Sequence, residues 1–506
     1  MERLTASGLA FRRGTPPEAT YTFKHALVQD AAYDSLLKSR RQELHRKIAR
    51  VIEEHSPNIK TTEPEVLAHH LTAAHLAEAA APLWRAAGEL SMRRMALTEA
   101  VSHLSRGLEA ISTLPPSLER DASELELRTL LGGALIATRG FASPEVEQSY
   151  GRARVLCRQL GDTPQIFPVL FGLWAFYLVR ADLPATRELA DQLWQLARSA
   201  QDSALLSVAH RAMATTFHFQ GEFVLAQEHE AQGIALYDPQ QHSSLALLYG
   251  EHPAVVCQCF AAHDLWYLGY PDRALVSIQD ARTLAQQLAH PFMLVHTLDF
   301  AAWLHLYRRE GQRTREQAEA DIALATEHKI AFFLAHGTIF RGWALVEQGR
   351  RTEGIAQMRQ GLAAYRATGA ECERPYLLAL LAAAYGKVEQ PKEGLLVLEE
   401  ALAEARKGWR CCEAELYRLK GELLLEVSAE NKAEAEACFH QALDIARRQQ
   451  TRSLELRATM SLSRLWQFQG KRAEAHALLL AIYGWFGEGF ETGDLREAKL
   501  LLEALA

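Results

Sequence analysis

Histidines and cysteines are the residues of this sequence best suited to metal or covalent chemistry, and their spacing favours neither. His69, His70 and His75 fall in the predicted helical run EVLAHHLTAAHLAEAA, with no HExxH motif and no carboxylate at ligand spacing. We therefore expect these histidines to pack at a helix joint. The seven cysteines include no CxxC pair, which indicates reduced, buried thiols. The sequence predicts no metal ligands.

Nucleotide hydrolysis would require a glycine-rich phosphate loop. The two Gly-Lys pairs, Gly386-Lys387 and Gly470-Lys471, have neither the upstream glycine nor the following Ser or Thr of such a loop. The sequence also contains no GxGxxG motif and no GxSxG nucleophile elbow. We therefore expect a chain with no catalytic residues, no cofactor and no enzymatic activity of its own.

Aromatic residues cluster in the middle of the chain, where they favour binding. They fall in the first helices of four successive predicted helix pairs, with histidines among them. In a helical solenoid the first helices line the concave groove, which is the usual ligand surface. Core packing is the alternative for any single member. The candidate groove residues are Trp174, Tyr177, His218, Phe219, His263, Trp266, Tyr267, Trp303, His305 and Tyr307.

Regular turns divide the chain into helix pairs that would position these residues. The ten turns run from Met95 to Gly470, a mean period of about 42 residues. After most turns, two small residues recur seven positions apart, which places both on one helix face. Small side chains there let a neighbouring helix approach closely. The turns lie near Met95, Gly140, Asp182, Gly221, Gly269, Gly311, Gly349, Glu389, Asn431 and Gly470. The small pairs are Ala100/Gly107, Ala226/Gly233, Ala274/Ala281, Ala318/Ala325, Gly354/Gly361, Gly394/Ala401 and Ala435/Ala442.

These pairs resemble tetratricopeptide repeats, in which small residues recur seven apart in the second helix. The segments Gly221–Leu236 and Gly269–Ala285 carry the resemblance best. It implies an all-α fold, a superhelical solenoid of about ten helix pairs over residues 61–506. One helix pair cannot bury its apolar face alone, so stacked pairs would share a continuous core.

The head of the chain differs from the repeats. Residues 1–20 contain Gly14, Pro16 and Pro17 and predict an irregular, flexible end. Residues 21–60 predict a short extended run and two helices, a small helical or winged-helix-like module. Basic residues on its outer face could contact DNA phosphates or dock on an acidic neighbouring domain, and the sequence favours docking because the repeats supply no further basic stripe. These residues are Lys38, Arg40, Arg41, Arg46, Lys47 and Arg50.

The head also resembles a block of bacterial multidomain signalling proteins of the AAA/STAND type. In these proteins, which include cyclase–ATPase–tetratricopeptide fusions and LuxR-type regulators, the block joins the ATPase core to the repeats. The resemblance is specific over Tyr21–Glu54 and implies that this chain is the tail of such a regulator or a free-standing relic of one. We therefore expect it to regulate a linked or partner ATPase or nucleotide cyclase. It rests on Phe23, Lys24, His25, Leu27, Val28, Gln29, Ala32, Tyr33, Leu36, Leu37, Arg41, Leu44 and His45.

Composition narrows the class of partner. The net charge of −7 over 506 residues provides no general field for nucleic acid or anionic lipid. The longest uncharged apolar run, Phe167 to Val179, is too short to span a bilayer. We expect a soluble cytoplasmic protein that binds a protein, a peptide or a small effector in the groove. A fragment of an ATP-dependent enzyme and a DNA-binding regulator acting through residues 38–50 remain the alternatives.

Overall fold

A computed structural model describes residues 5–15, 19–56, 58–161, 163–242 and 245–506. Two compact units are present, residues 1–127 and residues 128–506. Among the described residues, no helix combines the length and the apolar composition that crossing a bilayer requires. The chain is almost entirely helical, as the sequence predicted. The strands are β1 (Ala10–Arg13) and β2 (Thr20–Phe23). Six helices lie wholly within the described part of residues 1–127: α1 (Ala26–Asp34), α2 (Lys38–His55), α3 (Ile59–Thr62), α4 (Pro64–Ala73), α5 (Ala77–Arg93) and α6 (Leu97–Ser112).

The remaining helices follow one another in pairs. They are α7 (Leu118–Arg139), α8 (Pro144–Leu160), α9 (Ile166–Val179), α10 (Leu183–Ala200), α11 (Ser203–Gln220), α12 (Phe223–Ala235), α13 (Pro239–His242), α14 (Leu245–Tyr249), α15 (Pro253–Tyr267), α16 (Pro271–Gln287), α17 (Pro291–Tyr307), α18 (Gly311–Glu327), α19 (Ala331–Glu347), α20 (Arg351–Ala367), α21 (Arg374–Lys387), α22 (Pro391–Ala405), α23 (Glu413–Val427), a 3₁₀ turn (Ala429–Asn431), α24 (Lys432–Arg448), α25 (Arg452–Phe468), α26 (Arg472–Tyr483) and α27 (Gly493–Leu505).

The first unit opens with a β-hairpin. Strands β1 and β2 pair antiparallel, with Ala10 opposite Phe23. The prediction of an irregular end over residues 1–20 is therefore wrong for Ala10–Arg13, where pairing with β2 overrides a weak local pattern; residues 1–4 and 16–18 of that prediction lie outside the described residues. Helix α2 packs on α4, and α4 packs on α5, around a core that includes Ala49, Leu67 and Trp84. The winged-helix-like character of residues 21–60, and a boundary at residue 60, stay predictions.

Nine of the ten predicted turns fall between consecutive helices, and the tenth, Gly311, is the first residue of α18. Glycine supplies the left-handed backbone at five of them, for example φ 94° at Gly269 and φ 78° at Gly221. At Asp182 the side chain accepts a hydrogen bond from the Ala185 amide at 3.1 Å and so caps α10. The predicted helix pairs are thereby confirmed.

The small residues seven apart lie where the helices of a pair approach most closely. Both members are buried in every predicted pair, from Ala100 and Gly107 to Ala435 and Ala442. A Cβ added to Gly361 would come within 2.9 Å of the Ala335 carbonyl oxygen, so the two backbones nearly touch there. Larger side chains would separate α19 from α20.

The second unit is superhelical, and the first helices of its pairs contact segments that lie roughly one superhelical turn farther along the chain. The Val179 carbonyl oxygen accepts a hydrogen bond from the Glu371 amide at 2.8 Å, and the Phe219 carbonyl oxygen accepts one from the Arg410 amide at 2.8 Å. Ser453 Oγ donates to the Trp266 carbonyl oxygen across 187 residues. Each bond joins the end of one first helix to the start of another. Later chain thereby covers the ends of α9, α11 and α15.

Candidate partner-binding cleft

The candidate groove residues come together as a buried aromatic layer between successive superhelical turns. Eight of the ten are almost fully buried: Trp174, His218, Phe219, His263, Trp266, Tyr267, Trp303 and Tyr307. We call these eight the aromatic layer. Two narrow spaces lie beside it, one of about 50 Å³ and one of about 10 Å³. The sequence therefore located the inner face of the solenoid, and the structure fills this part of it with the chain's own side chains.

Ring stacking and hydrogen bonds hold the aromatic layer together. The rings of Trp266 and Tyr307 stack with centroids 4.3 Å apart, and the hydroxyls of Tyr267 and Tyr307 are 2.8 Å apart. Phe219 packs edge-on against Trp409, which lies on the following turn. Such aromatic contacts add about 0.5–1.5 kcal/mol each to the area they bury.

Two candidate groove residues lie outside the aromatic layer. Tyr177 is half-buried at the end of α9, where its hydroxyl bonds the Glu147 carboxylate at 3.5 Å. His305 is also half-buried, and its Nδ1 lies 2.6 Å from the Glu310 carboxylate at the end of α17. Both side chains bond their own neighbourhood, away from the rest of the set.

An open cleft lies on the inner face farther along the second unit. Its volume is about 320 Å³, within the range typical of ligand sites. The inner helices α19, α21, α23 and α25 line it, together with α27. Apolar side chains, among them Trp343, Tyr376 and Leu423, form much of its surface. We call it the charged cleft because eleven charged side chains line it. They are Arg309, Glu347, Lys387, Glu415, Arg418, Glu422, Glu426, Arg457, Arg464, Asp494 and Glu497.

Paired charges cross the floor of the charged cleft. Arg418 grips the Glu415 carboxylate with two bonds of 2.7 Å and reaches Glu422 at 2.6 Å. Arg457 bonds Asp494 at 2.8 Å and the Tyr307 carbonyl oxygen at 2.7 Å. Its guanidinium lies 4.8 Å from the Trp266 ring. Arg457 thus connects the cleft to the aromatic layer.

The rim of the cleft carries the more exposed pairs. Arg464 and Arg309 both pair with Glu497, and Lys387 pairs with Glu347. The lining residues carry five positive and six negative charges. A partner that offers charges of both signs can therefore exchange these pairs without leaving one charge unmatched.

The charge pairs shift the pKa values of the cleft side chains. Burial raises the pKa of Glu422 and the Arg418 guanidinium lowers it, with a net shift below the usual value. Burial and the neighbouring Glu422 raise the pKa of Glu426. Glu422 is thus held as an anion, whereas protonation of Glu426 is made easier.

The sequence analysis missed the charged cleft, although a signal was present. Glu415, Arg418 and Glu422 are spaced three and four residues apart, as are Arg457, Ser461 and Arg464. Such spacing places each set on one helix face. On an inner helix of a solenoid, that face meets the groove.

The basic face of the head module is partly neutralised by its own unit. Glu43 bonds Arg40 at 2.6 Å and Lys47 at 2.7 Å. Arg41 bonds Asp34 at 3.2 Å and lies over the Tyr33 ring. Lys38, Arg46 and Arg50 are exposed. Three of the six cations thus have acidic partners, which weakens the case for a phosphate-binding face.

Sequence comparison gives a distant relative and no family. No protein-family model matches the chain. It is 27% identical over 469 residues to the uncharacterized protein R02095 of Rhizobium meliloti, covering 92% of this chain and 45% of that protein. The chain therefore spans a little under half the length of this curated relative.

Solved structures with a similar fold are helical-repeat proteins. A Rap protein complexed with competence and sporulation factor has a TM-score of 0.50 and 11% identity, covering 79% of this chain and 99% of that chain. Aspartyl phosphate phosphatase F from Bacillus subtilis has a TM-score of 0.41 and 13% identity, covering 71% and 91% of the two chains. The fold of this chain is a tetratricopeptide-like superhelical α-solenoid.

Proposed function

We propose that this chain is a non-catalytic interaction module that regulates a signalling ATPase or nucleotide cyclase, either linked to it or separate. It does so by binding a protein or peptide segment in the charged cleft. The observation that carries this proposal is an open, mixed-charge cleft of about 320 Å³ on the inner face of a tetratricopeptide-like solenoid.

The chemistry of the cleft favours a peptide-like occupant. Apolar and aromatic surface alternates with ion pairs, so an amphipathic segment can bury side chains while its charges exchange with the paired residues. Elsewhere in the unit, carbonyl oxygens at the ends of inner helices already accept hydrogen bonds from backbone amides of later segments. The Phe219 carbonyl oxygen, for example, accepts one from the Arg410 amide. A bound segment would use the same type of bond.

The aromatic layer belongs to the proposal as the inner wall of the site. Arg457 contacts both Trp266 and the Tyr307 carbonyl oxygen, so an occupant that moved this arginine would also disturb the layer. Such a coupling would let binding in the cleft alter the packing of successive turns.

Two further observations support a regulatory role. The similar Rap structure contains a bound factor, competence and sporulation factor. The head of the chain resembles, over Tyr21–Glu54, the block that joins an ATPase core to repeats. Its exposed apolar side chains, which include Leu27 and Leu37 at 82% and 78% exposure, suit docking on such a neighbouring domain.

Site-specific crosslinking tests the proposal. A photoreactive amino acid replaces Ala383, which is half-exposed in the cleft, and in a control chain it replaces Val276 on α16, which is 62% exposed. We expect capture of a protein at position 383 and none at 276. We also expect adding the full chain to change that protein's ATP turnover or cyclase activity. Equal capture at both positions, or an unchanged activity, would refute the proposal.

A charge swap makes the test specific. Lys387 and Glu347 pair across the cleft rim, and exchanging them (Lys387→Glu with Glu347→Lys) keeps their pairing while reversing the charges shown to a partner. We expect capture to fall on the order of 10-fold or more. The matched control exchanges Arg315 and Glu319, which pair at 2.8 Å on α18. Equal behaviour of the two swaps would argue against recognition by the cleft.

A further inference from the structure

Three histidines from two helices of the first unit converge on one point. His45 lies on α2, and His69 and His70 lie on α4. One ring nitrogen from each can be chosen so that all three atoms lie within 4.8 Å of one another. His45 Nδ1 and His70 Nδ1 are 2.8 Å apart. His75, the third histidine of the sequence run, lies in the turn after α4 with φ 58° and is not part of the cluster.

We propose that His45, His69 and His70 form a three-nitrogen site for a divalent transition-metal ion of the zinc class. In a tetrahedral site with Zn–N bonds of about 2.0–2.1 Å, two ligand nitrogens lie about 3.3 Å apart. The His45–His70 separation is therefore about 0.5 Å short of that value. His69 is exposed, so its side chain is free to rotate towards the other two.

Tyr33 on α1 supports His45 from behind. Its hydroxyl lies 2.9 Å from His45 Nε2, which leaves Nδ1 facing the other two rings. Metal-bound histidines commonly use their second nitrogen in such a bond, which fixes the tautomer and the ring orientation. The Arg41 guanidinium lies 5.0 Å from the Tyr33 ring and holds that side chain in place.

Simple packing explains less of the arrangement. A single hydrogen bond between His45 and His70 satisfies both nitrogens but gives no role to His69, whose ring centroid is 5.7 Å from that of His45 and 5.3 Å from that of His70. A bound metal ion would instead use one nitrogen from each of the three rings.

The ligand set selects the class of ion. Three imidazoles suit Zn²⁺, Co²⁺, Ni²⁺ or Cu²⁺, whereas Mg²⁺ and Ca²⁺ require oxygen ligands. Three protein nitrogens would leave the fourth tetrahedral position to water. The bound ion would tie α2 to α4 at the start of the repeats.

Cobalt titration of the metal-free full chain tests the proposal. We expect Co²⁺ to bind at this site with the visible absorption of a tetrahedral complex, and Zn²⁺ to displace it. His69→Ala, an exposed change that preserves folding, should weaken binding at least about 100-fold, and Tyr33→Phe about 10–100-fold. Circular dichroism of each metal-free variant checks folding.

Two controls separate this site from other histidines. His55→Ala removes an exposed histidine from the same helix α2, and His229→Ala breaks the His210–His229 contact of 3.1 Å in the second unit. We expect both to bind Co²⁺ as the natural chain does. No saturable binding by the natural chain, or identical binding by His69→Ala, would overturn the proposal.

Discussion

Gly354→Ala tests whether glycine is required where two helices of a repeat touch. An added Cβ would collide with the Gly342 carbonyl oxygen and lie 2.9 Å from the Val346 amide nitrogen. Because an ordinary contact is at least 3.4 Å, α19 and α20 must separate by about 0.5 Å or more. Overpacking of this kind costs about 1–3 kcal/mol, whereas removing a helix-interior glycine gains about 1 kcal/mol.

Gly151→Ala is the matched control, because Gly151 lies inside α8 and a Cβ there would meet nothing within 4 Å. It should show the helix gain alone, about 1 kcal/mol of added stability. The difference between the two variants then isolates the interface cost of about 1–3 kcal/mol. Hydrogen exchange suits the measurement, because repeat arrays open locally. We expect faster exchange in α19 and α20 for Gly354→Ala. Equal stabilisation by both changes would refute the argument for close backbone contact.

Three further predictions concern buried charges. Burial lowers the pKa of His296 to about 3, so between about pH 6.5 and pH 3 this histidine takes up a proton only in the unfolded state. The natural chain therefore loses about 1.4 kcal/mol of stability per pH unit in that range, and His296→Phe should remove this loss. A Tm difference between variant and natural chain that is equal at pH 7.5 and pH 5 would contradict this. Burial and Asp264 raise the pKa of Glu230, so Glu230→Gln should gain Tm relative to the natural chain as the pH rises above about 4.5, and a constant difference would show that Glu230 is ionised. Arg457→Leu removes one of the two arginine partners of Asp494 and leaves it only Arg309 at 3.3 Å. It should cost about 1.5–3 kcal/mol, seen as faster hydrogen exchange in α27, while the exposed Arg448→Leu should change stability by less than about 0.5 kcal/mol.

Local patterns in the sequence were sufficient to predict the helix pairs. Left-handed turns such as Gly269, and small pairs such as Gly354 and Gly361, depend on backbone geometry within one repeat, and they were confirmed. Strand β1 was missed because its pairing with β2 gives Ala10–Arg13 a structure that its own residues do not specify.

Contacts between distant segments could not be predicted in the same way. His45 lies on α2 and His69 lies on α4, and the packing of these two helices brings the two rings together. Spacing within the run from Glu65 to Ala80 carries no information on the approach of His45, which comes from outside that run. The aromatic layer was similar: the sequence placed its residues on inner helices but gave no sign of Trp409 arriving from the next turn.

Long-range contacts distinguish a filled part of the inner face of the second unit from an open part. The Ser453–Trp266 bond spans 187 residues, and Arg309–Asp494 spans 185, so later chain covers the ends of these inner helices. Nearly all residues that line the charged cleft, from Trp343 to Glu497, follow these covered ends in the chain. A segment that fills the cleft would bind as passing chain does elsewhere in the unit, with amides on helix ends and side chains against the inner helices.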